Sequence, residues 1–171
     1  LENIKTDKDL YNEFYQSFSK NIKLGVYEDT KYRARLSKLL QFNSSKTDEL
    51  RTFEDYISDM GDNQPGIYYI TGQSKDMVSN SPFVEKLTKK GWEVLYLVEP
   101  IDEYMLQNLK EYNDKPLMCV TKSGIDFGDT EEEKTKNTEL TETYKDLCAK
   151  IQEILGGSIE KVIVSNRITD S

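Results

Sequence analysis

Three short apolar runs, separated by helical patterns, constrain the fold of this chain more than any other feature. They read IYYIT at 67–71, EVLYLV at 93–98 and LMCV at 117–120. Such nearly continuous apolar runs are typical of strands buried on both faces, and parallel strands need crossover connections. The alternation therefore predicts a parallel sheet with helices on both faces. A fourth run, KVIVS at 161–165, is predicted to join this sheet.

The residues before the first run carry helical patterns. Leu10, Phe14 and Phe18 recur every four residues and predict the apolar face of a first helix. We expect this helix to end near Asn21, because Gly25 supplies a break soon after it. Two further helices are predicted before the first strand, and one helix spanning Leu140 to Ile154 is predicted near the end of the chain.

The patterns together predict an α/β fold in two parts. Residues 1–62 form a small helical coil, with a loop at 43–46. Residues 63–171 form a three-layer α/β/α unit with a short, mostly parallel sheet. The aromatic residues expected to anchor its core are Tyr68, Trp92 and Tyr96.

Composition excludes several classes of protein. A net charge of −8 disfavours nucleic-acid binding, which requires a basic surface. No apolar run approaches the length needed to span a membrane. Because the chain starts at Leu1 and stops just past a predicted strand, we expect it to be a segment of a longer protein. Cys119 and Cys148 are interpreted as reduced core residues rather than as a disulfide.

The sequence contains no histidine, which removes Ser-His-Asp and Cys-His catalysis and histidine-ligated metal sites. The turn at 72–75, Gly-Gln-Ser-Lys, lies where phosphate loops occur but lacks their spacing, so it is interpreted as a helix cap at Ser74. Glu99, Asp102 and Glu103 follow a strand end and could hold a divalent cation, although they also complement a helix dipole. We therefore predict no catalytic, cofactor or metal residues.

Two charged segments are candidate protein-contact surfaces. The first is either a contact loop or a helix C-terminus whose lysines face the helix dipole, and the sequence leaves both interpretations open. It consists of Lys20, Asn21, Ile22, Lys23 and Leu24. The second is the acidic stretch at 126–142, which could be a docking surface but is interpreted as a solvated loop and helix start.

Several stretches, in the same order along nearly the whole chain, resemble the heat shock protein 90 family. The chain is most similar to the cytosolic branch of that family, because Phe-Ser-Lys precedes the NIKLG motif. The stretches are FSKNIKLGVYEDTKYR, LLQFNSSK, IYYITGQS, SPFVEKL, EVLYLVEPIDEY and EKVIVS. The resemblance implies a fragment of the middle segment of an ATP-dependent molecular chaperone, located in the cytoplasm.

The same resemblance implies the following division of labour. ATP and magnesium bind an upstream domain of the parent protein, and a C-terminal domain absent from this chain forms the homodimer. The middle segment binds client proteins and activating co-chaperones, while the catalytic arginine of the family lies before Leu1. This fragment is therefore not expected to be an enzyme. The alternative is a freestanding α/β enzyme or ligand-binding domain that uses the turn at 72–75 and the carboxylates Glu99 and Asp102.

Overall fold

The computed structural model describes residues 7–122, 125 and 127–164. Its α-helices are α1 (Lys8–Glu28), α2 (Arg33–Ser37), α3 (Phe53–Ser58), α4 (Lys75–Ser79), α5 (Pro82–Lys89), α6 (Pro100–Asn108), α7 (Glu131–Thr143) and α8 (Lys145–Leu155). Its strands are β1 (Gln41–Ser44), β2 (Arg51–Thr52), β3 (Ile67–Thr71), β4 (Leu95–Leu97), β5 (Glu111–Tyr112) and β6 (Lys115–Cys119). A short 3₁₀ turn, Gly156–Ser158, follows α8.

The strands form one mixed sheet in the order β2-β1-β4-β3-β6-β5. The three predicted apolar runs supply β4, β3 and β6, which are parallel; Tyr69, for example, is in register with Leu95 on one side and Cys119 on the other. The outer strands β1, β2 and β5 pair antiparallel with their neighbours. The prediction of an α/β fold around a parallel centre is confirmed.

Helices cover both faces of this sheet. Along β3, Ile67 and Tyr69 belong to one buried cluster, whereas Tyr68 and Ile70 belong to another, because successive side chains of a strand point to opposite faces. Helices α1, α3 and α6 contribute to the first cluster, and α4 and α5 to the second. The three-layer α/β/α arrangement predicted from the strand patterns is therefore present.

The first helix differs from its prediction in length and in orientation. It continues through Gly25 to Glu28, and an added Cβ at Gly25 would lie only 2.9 Å from Leu36 Cδ1. Glycine at this position thus allows close packing of the following helix rather than a break. The predicted apolar face is also wrong, since Leu10 and Phe18 are each 50% exposed. The buried side chains of α1 are Tyr11, Tyr15, Ser19, Ile22, Lys23 and Val26.

Tyrosine hydroxyls explain why α1 turns this face inward. The hydroxyl of Tyr11 donates to the Leu39 carbonyl at 2.5 Å, and that of Tyr15 donates to the Gln41 carbonyl at 2.9 Å. A buried tyrosine is stable when its polar end finds a partner, and here both partners are backbone oxygens close to β1. Burial raises the pKa of Tyr11 to about 12. The four-residue periodicity of the sequence predicted that the phenylalanines of α1, rather than these tyrosines, face the core.

Three further predictions of local structure are wrong. Part of the predicted loop at 43–46 is strand, because residues 43 and 44 end β1 and pair with β4. The predicted last helix is two helices, which meet at Tyr144. Residues 161–164 of the fourth run form no strand, and Ile163 is 52% exposed; Ser165 lies outside the described residues. A strand is completed by backbone hydrogen bonds to a neighbouring strand, and residues 161–164 pair with no strand among the described residues.

Candidate functional site

The predicted contact segment at residues 20–24 is helical and lies within α1, so the loop interpretation is wrong. Lys20, Asn21 and Leu24 face solvent, whereas Ile22 and Lys23 are buried. The lysines also do not lie at a helix C-terminus, because α1 continues to Glu28. Whether the exposed side chains contact a partner protein stays a prediction.

Lys23 joins the two carboxylates that follow β4 in a buried charge cluster. Its Nζ lies 2.7 Å from Asp102 Oδ1 and 3.0 Å from Glu99 Oε2. The side chains of Lys23 and Asp102 are only 4% and 1% exposed, and that of Glu99 is 39% exposed. Two groups that the sequence presented as separate candidates therefore form one cluster. Glu103, the third carboxylate of that candidate site, is exposed on α6.

This cluster connects α1 to the N-terminus of α6. The Asp102 carboxylate accepts from the Glu99 backbone amide at 3.0 Å, which caps α6, and it also faces Lys23. Burial raises the pKa of Asp102, while the nearby Lys23 ammonium opposes that rise. A buried carboxylate is tolerated only when it is paired in this way. The carboxylates thus bind the ammonium group of Lys23 at the position where the sequence allowed a divalent cation. Among the described residues, no cluster of acidic, histidine or cysteine side chains could hold a metal ion.

A cavity of about 220 Å³ opens beside this cluster, between α1, β1 and the end of β4. We call it the notch. Lys23, Glu99 and Asp102 form its charged floor, and its apolar walls are Tyr15, Phe42, Leu50, Tyr96 and Val98. Lys23 Nζ also lies 5.3 Å from the centre of the Phe42 ring, a cation–π distance.

Gln41 adds an unusual polar group to the notch. The residue is 8% exposed, and its side-chain Nε2 donates to Asn12 Oδ1 at 3.3 Å. Its other amide atom, Oε1, is buried without a hydrogen-bond partner. Buried polar atoms are nearly always paired, so this unpaired acceptor, on a residue that lines the notch, retains the capacity to accept a hydrogen bond from a donor. No sequence pattern marked Gln41, because its position depends on pairing between β1 and β4.

The turn at 72–75 is a helix cap, which is the simpler of the two interpretations that the sequence allowed. Ser74 caps α4 by accepting from the Met77 amide at 3.2 Å, as predicted. Lys75 forms an exposed ion pair with Asp48 at 3.0 Å. These contacts account for the turn as an ordinary strand-to-helix connection, and no feature of it indicates a phosphate site.

The acidic stretch is attached to the domain at its beginning. Asp129 Oδ1 lies 2.7 Å from Lys90 Nζ, and Glu133 Oε2 lies 3.1 Å from the same atom. Glu133 also accepts from the Thr130 amide at 2.7 Å, and this hydrogen bond together with Lys90 lowers the pKa of Glu133. Apart from the half-buried Asn137, the remainder of α7 is exposed, in agreement with a solvated helix. Asp126 lies outside the described residues.

A second buried polar centre was missed by sequence reasoning. The Tyr56 hydroxyl donates to the Glu93 carbonyl at 2.7 Å and accepts from the Tyr68 amide at 2.9 Å and from Gln64 Nε2 at 2.7 Å. Burial raises the pKa of this hydroxyl. The centre ties α3 to the start of β3. Nothing in the sequence indicated the hydrogen-bond partners of Tyr56.

Two features of the described residues limit the classes of site further. No helix there combines the length and apolar character needed to cross a lipid bilayer. Cys119 and Cys148 are both free thiols, with Cys119 buried, which confirms that they do not form a disulfide.

Comparison with known proteins identifies a family along the entire chain. The sequence model described as "Hsp90 protein" matches residues 1–171. Heat shock protein 83 of Leishmania donovani is 42% identical over 172 residues, covering 100% of this chain and 38% of that protein. The heat shock protein 90-5, chloroplastic, of Arabidopsis thaliana is 42% identical and covers 96% of this chain, which spans 21% of that protein.

A solved structure agrees with these sequence matches. The middle domain of a Plasmodium falciparum heat shock protein superposes with a TM-score of 0.66 at 34% identity, covering 70% of this chain and 50% of that one. The chain spans about two fifths or less of the length of the curated relatives named here.

The comparisons correct the expected cytoplasmic location. An endoplasmin homolog of Dictyostelium discoideum is 42% identical, the same identity as the chloroplastic relative and the Leishmania protein. Organellar relatives therefore match this chain as well as the heat shock protein 83 does, and the motif before NIKLG does not assign a cytosolic branch. Sequence, fold and topology agree on the broader relationship: the chain belongs to the Hsp90 family of chaperones and has the fold of its middle domain.

Proposed function

We propose that this chain acts as a scaffold and polypeptide-binding segment within a longer, ATP-dependent Hsp90-family chaperone. Its partners would be client proteins and activating co-chaperones, and neither nucleic acid nor membrane is among them. The observation that carries this proposal is an apolar stripe on α1, in which Leu10 and Phe18 are each 50% exposed and Phe14 lies half-buried between them. An exposed apolar patch on a highly charged protein is typical of an interaction surface.

The geometry of the stripe supports a role in binding extended apolar segments. The Phe14 and Phe18 rings stack at a centroid distance of 5.1 Å, and Leu10 continues the line by one helical turn. Side chains spaced by four residues lie along one side of a helix, so the three form a continuous surface. The tyrosines that hold α1 to β1 fix the direction in which this surface points.

Unfolded-polypeptide binding tests the proposal directly. The 171-residue chain would be mixed with a chemically unfolded client, and suppression of its aggregation would be followed by light scattering. We expect Phe18→Ser to weaken suppression severalfold, because it removes half-exposed apolar surface. Met77→Ser is the matched control, since Met77 is 57% exposed on α4, which packs on the opposite face of the sheet. Equal loss of suppression in both variants, or no suppression by the unsubstituted chain, would contradict the proposal.

The division of labour within the parent chaperone forms the second part of the proposal. ATP and magnesium would bind an upstream domain, and dimerisation would use a C-terminal domain, so the present chain would neither bind nor hydrolyse ATP. Phosphoryl transfer requires groups that stabilise the transferred phosphate and position a water, and no phosphate-loop spacing occurs here. Isothermal titration with magnesium and ATP tests this, and saturable binding at micromolar affinity would overturn it.

A further inference from the structure

The floor of the notch carries more negative than positive charge. Lys23 supplies one ammonium, and it faces the carboxylates of Glu99 and Asp102 at 3.0 and 2.7 Å. When all three groups are ionised, one negative charge remains without a partner. The Glu99 side chain is 39% exposed, whereas the other two are almost fully buried, so this charge is accessible at Glu99. The floor is therefore complementary to a cation that enters from solvent.

The walls of the notch suit a cation with an apolar stem. Tyr15, Phe42 and Tyr96 contribute aromatic surface, and Leu50 and Val98 contribute aliphatic surface. Long basic side chains bury their methylene stems against such surfaces while their charged ends remain paired. Gln41 Oε1, buried without a partner, offers a second acceptor to a ligand with more than one donor. The carboxylate of Glu99, the side chain of Gln41 and the apolar walls thus belong to one cavity.

Other ligand classes fit these groups less well. An anion would be repelled by the net negative charge of the Lys23, Glu99 and Asp102 cluster. A divalent cation requires several free oxygen ligands, but Asp102 and Glu99 are already engaged with Lys23. A guanidinium is planar, carries five donors and stacks on aromatic rings, so it can bind a carboxylate and an amide oxygen together.

We propose that the notch binds an arginine side chain presented by a partner polypeptide, with the guanidinium on Glu99 and Gln41 Oε1. This inference rests on the proposed polypeptide-binding function and specifies one chemical requirement of the bound segment. The notch lies against α1 on the side of Ser19 and Lys23, away from the Leu10–Phe18 stripe. A partner segment could therefore use one of these surfaces without the other.

Binding would be measured by nuclear magnetic resonance on the isotopically labelled 171-residue chain. The probe is a capped Gly-Ala-Arg-Ala-Gly peptide, and its control carries citrulline, the neutral isostere of arginine, at the central position. We expect the arginine peptide to shift the signals of Ser19, Gln41 and Glu99 in a saturable manner. Citrulline should bind about tenfold more weakly, because it lacks the charge-assisted hydrogen bond to Glu99.

Variants of the chain locate the site. Glu99→Gln should weaken the arginine peptide about tenfold, and Glu103→Gln, which removes the same charge from an exposed position on α6, should change affinity less than about twofold. Gln41→Met should weaken binding about threefold through loss of the second acceptor. The spectrum of each variant reports whether it remains folded, and Gln41→Met keeps the test valid if Glu99→Gln does not fold.

Four outcomes would overturn the inference: equal affinity for the citrulline peptide, signal shifts confined to other regions, equal losses in Glu99→Gln and Glu103→Gln, or tighter binding of free arginine amide than of the peptide. The last would indicate a site for a small free cation instead of a polypeptide. Retention of aggregation suppression in Glu99→Gln, with loss in Phe18→Ser, would show that the proposed function stands even where the notch proposal fails.

Discussion

The domain around the sheet and the helical extension formed by α7 and α8 have similar local structure but very different burial. Helices of both regions begin at capping residues, for example Thr52 before α3 and Thr130 before α7. The domain nevertheless contains both hydrophobic clusters, whereas no residue of α7 or α8 is buried. Good caps and helix-forming residues are therefore enough to make a helix, but burial of an apolar face decides whether it belongs to the cooperative core.

The ion pairs of the two regions show the same contrast. Lys23 and Asp102 are buried at 2.7 Å, and removal of either partner leaves a charge in an apolar environment. Lys145 and Glu142, in the extension, lie 3.3 Å apart with side chains 69% and 66% exposed. Water screens such a surface pair and hydrates each partner when the other is removed. The same two kinds of charged group should thus differ strongly in their effect on stability.

The largest expected effect concerns an aromatic residue in each region. Tyr96 lies in the middle of β4 and is 5% exposed, so Tyr96→Ala should lower the free energy of unfolding by about 3–5 kcal/mol. Tyr144, which is 45% exposed, is the control, and Tyr144→Ala should change stability by less than about 0.5 kcal/mol. Urea titration measures both. A loss below about 1 kcal/mol at Tyr96 would show that its ring contributes little to the core.

The next largest difference in stability is expected when the lysine of each ion pair is replaced. Lys23→Met should cost about 3 kcal/mol near neutral pH, because Asp102 would remain buried without a cation. Lys145→Met should cost less than about 0.5 kcal/mol. Equal effects of the two substitutions in urea titration would mean that burial does not distinguish these pairs.

The loss caused by Lys23→Met should also depend on pH. Burial raises the folded-state pKa of Asp102, so the folded chain holds this proton more tightly than the unfolded chain. The resulting stability is fully present below the unfolded pKa of about 3.9 and is lost as pH rises through the folded pKa. Without Lys23 the folded pKa should rise further, and the deficit of the variant should shrink as pH falls towards about 4. A deficit independent of pH would exclude Asp102 as its source.

A smaller effect tests the connection between the two regions. Gly128 has a φ of +55°, and an added Cβ would overlap the Trp92 ring. Gly128→Ala should therefore cost about 1–3 kcal/mol and disturb the contact between Trp92 and the residues before α7. Gly157→Ala is the control, since no atom lies within 4 Å of its added Cβ. Tryptophan fluorescence and urea titration would be read together, and an unchanged Trp92 environment in Gly128→Ala would contradict this role.

The smallest expected loss of stability should be confined to the helical extension formed by α7 and α8. Thr130 accepts from the Glu133 amide at 3.2 Å and caps α7, so Thr130→Ala should destabilise that helix by about 1 kcal/mol. Amide hydrogen exchange should show faster exchange in α7, while the urea midpoint of the domain stays unchanged. Thr138→Ala, in the middle of α7, should not speed exchange. Loss of domain stability in Thr130→Ala would show that the extension folds together with the core.

The sequence supported the centre of the fold better than its surroundings. The three parallel strands were predicted because their β-branched and aromatic runs are local signals. The cap at Ser74 was predicted because it involves residues three positions apart. The inward face of α1 was not predicted, because Tyr11 and Tyr15 are stabilised by the backbone carbonyls of Leu39 and Gln41, which lie 28 and 26 residues away. The run at 161–164 carried the same local signal as the true strands but pairs with none in the described structure.

For the candidate site, the sequence supplied the residues and the tertiary structure supplied their relationships. Lys23 and Asp102 were both recognised as charged candidates, yet 79 positions separate them, and no pattern predicts that they meet at 2.7 Å. No sequence pattern indicated that Gln41 belongs to the candidate site. The sequence by itself determined the three central strands and the family, because both depend on short-range patterns and motifs. Which charges are buried, and which apolar face remains exposed, was decided only by packing, since burial depends on contacts between distant segments.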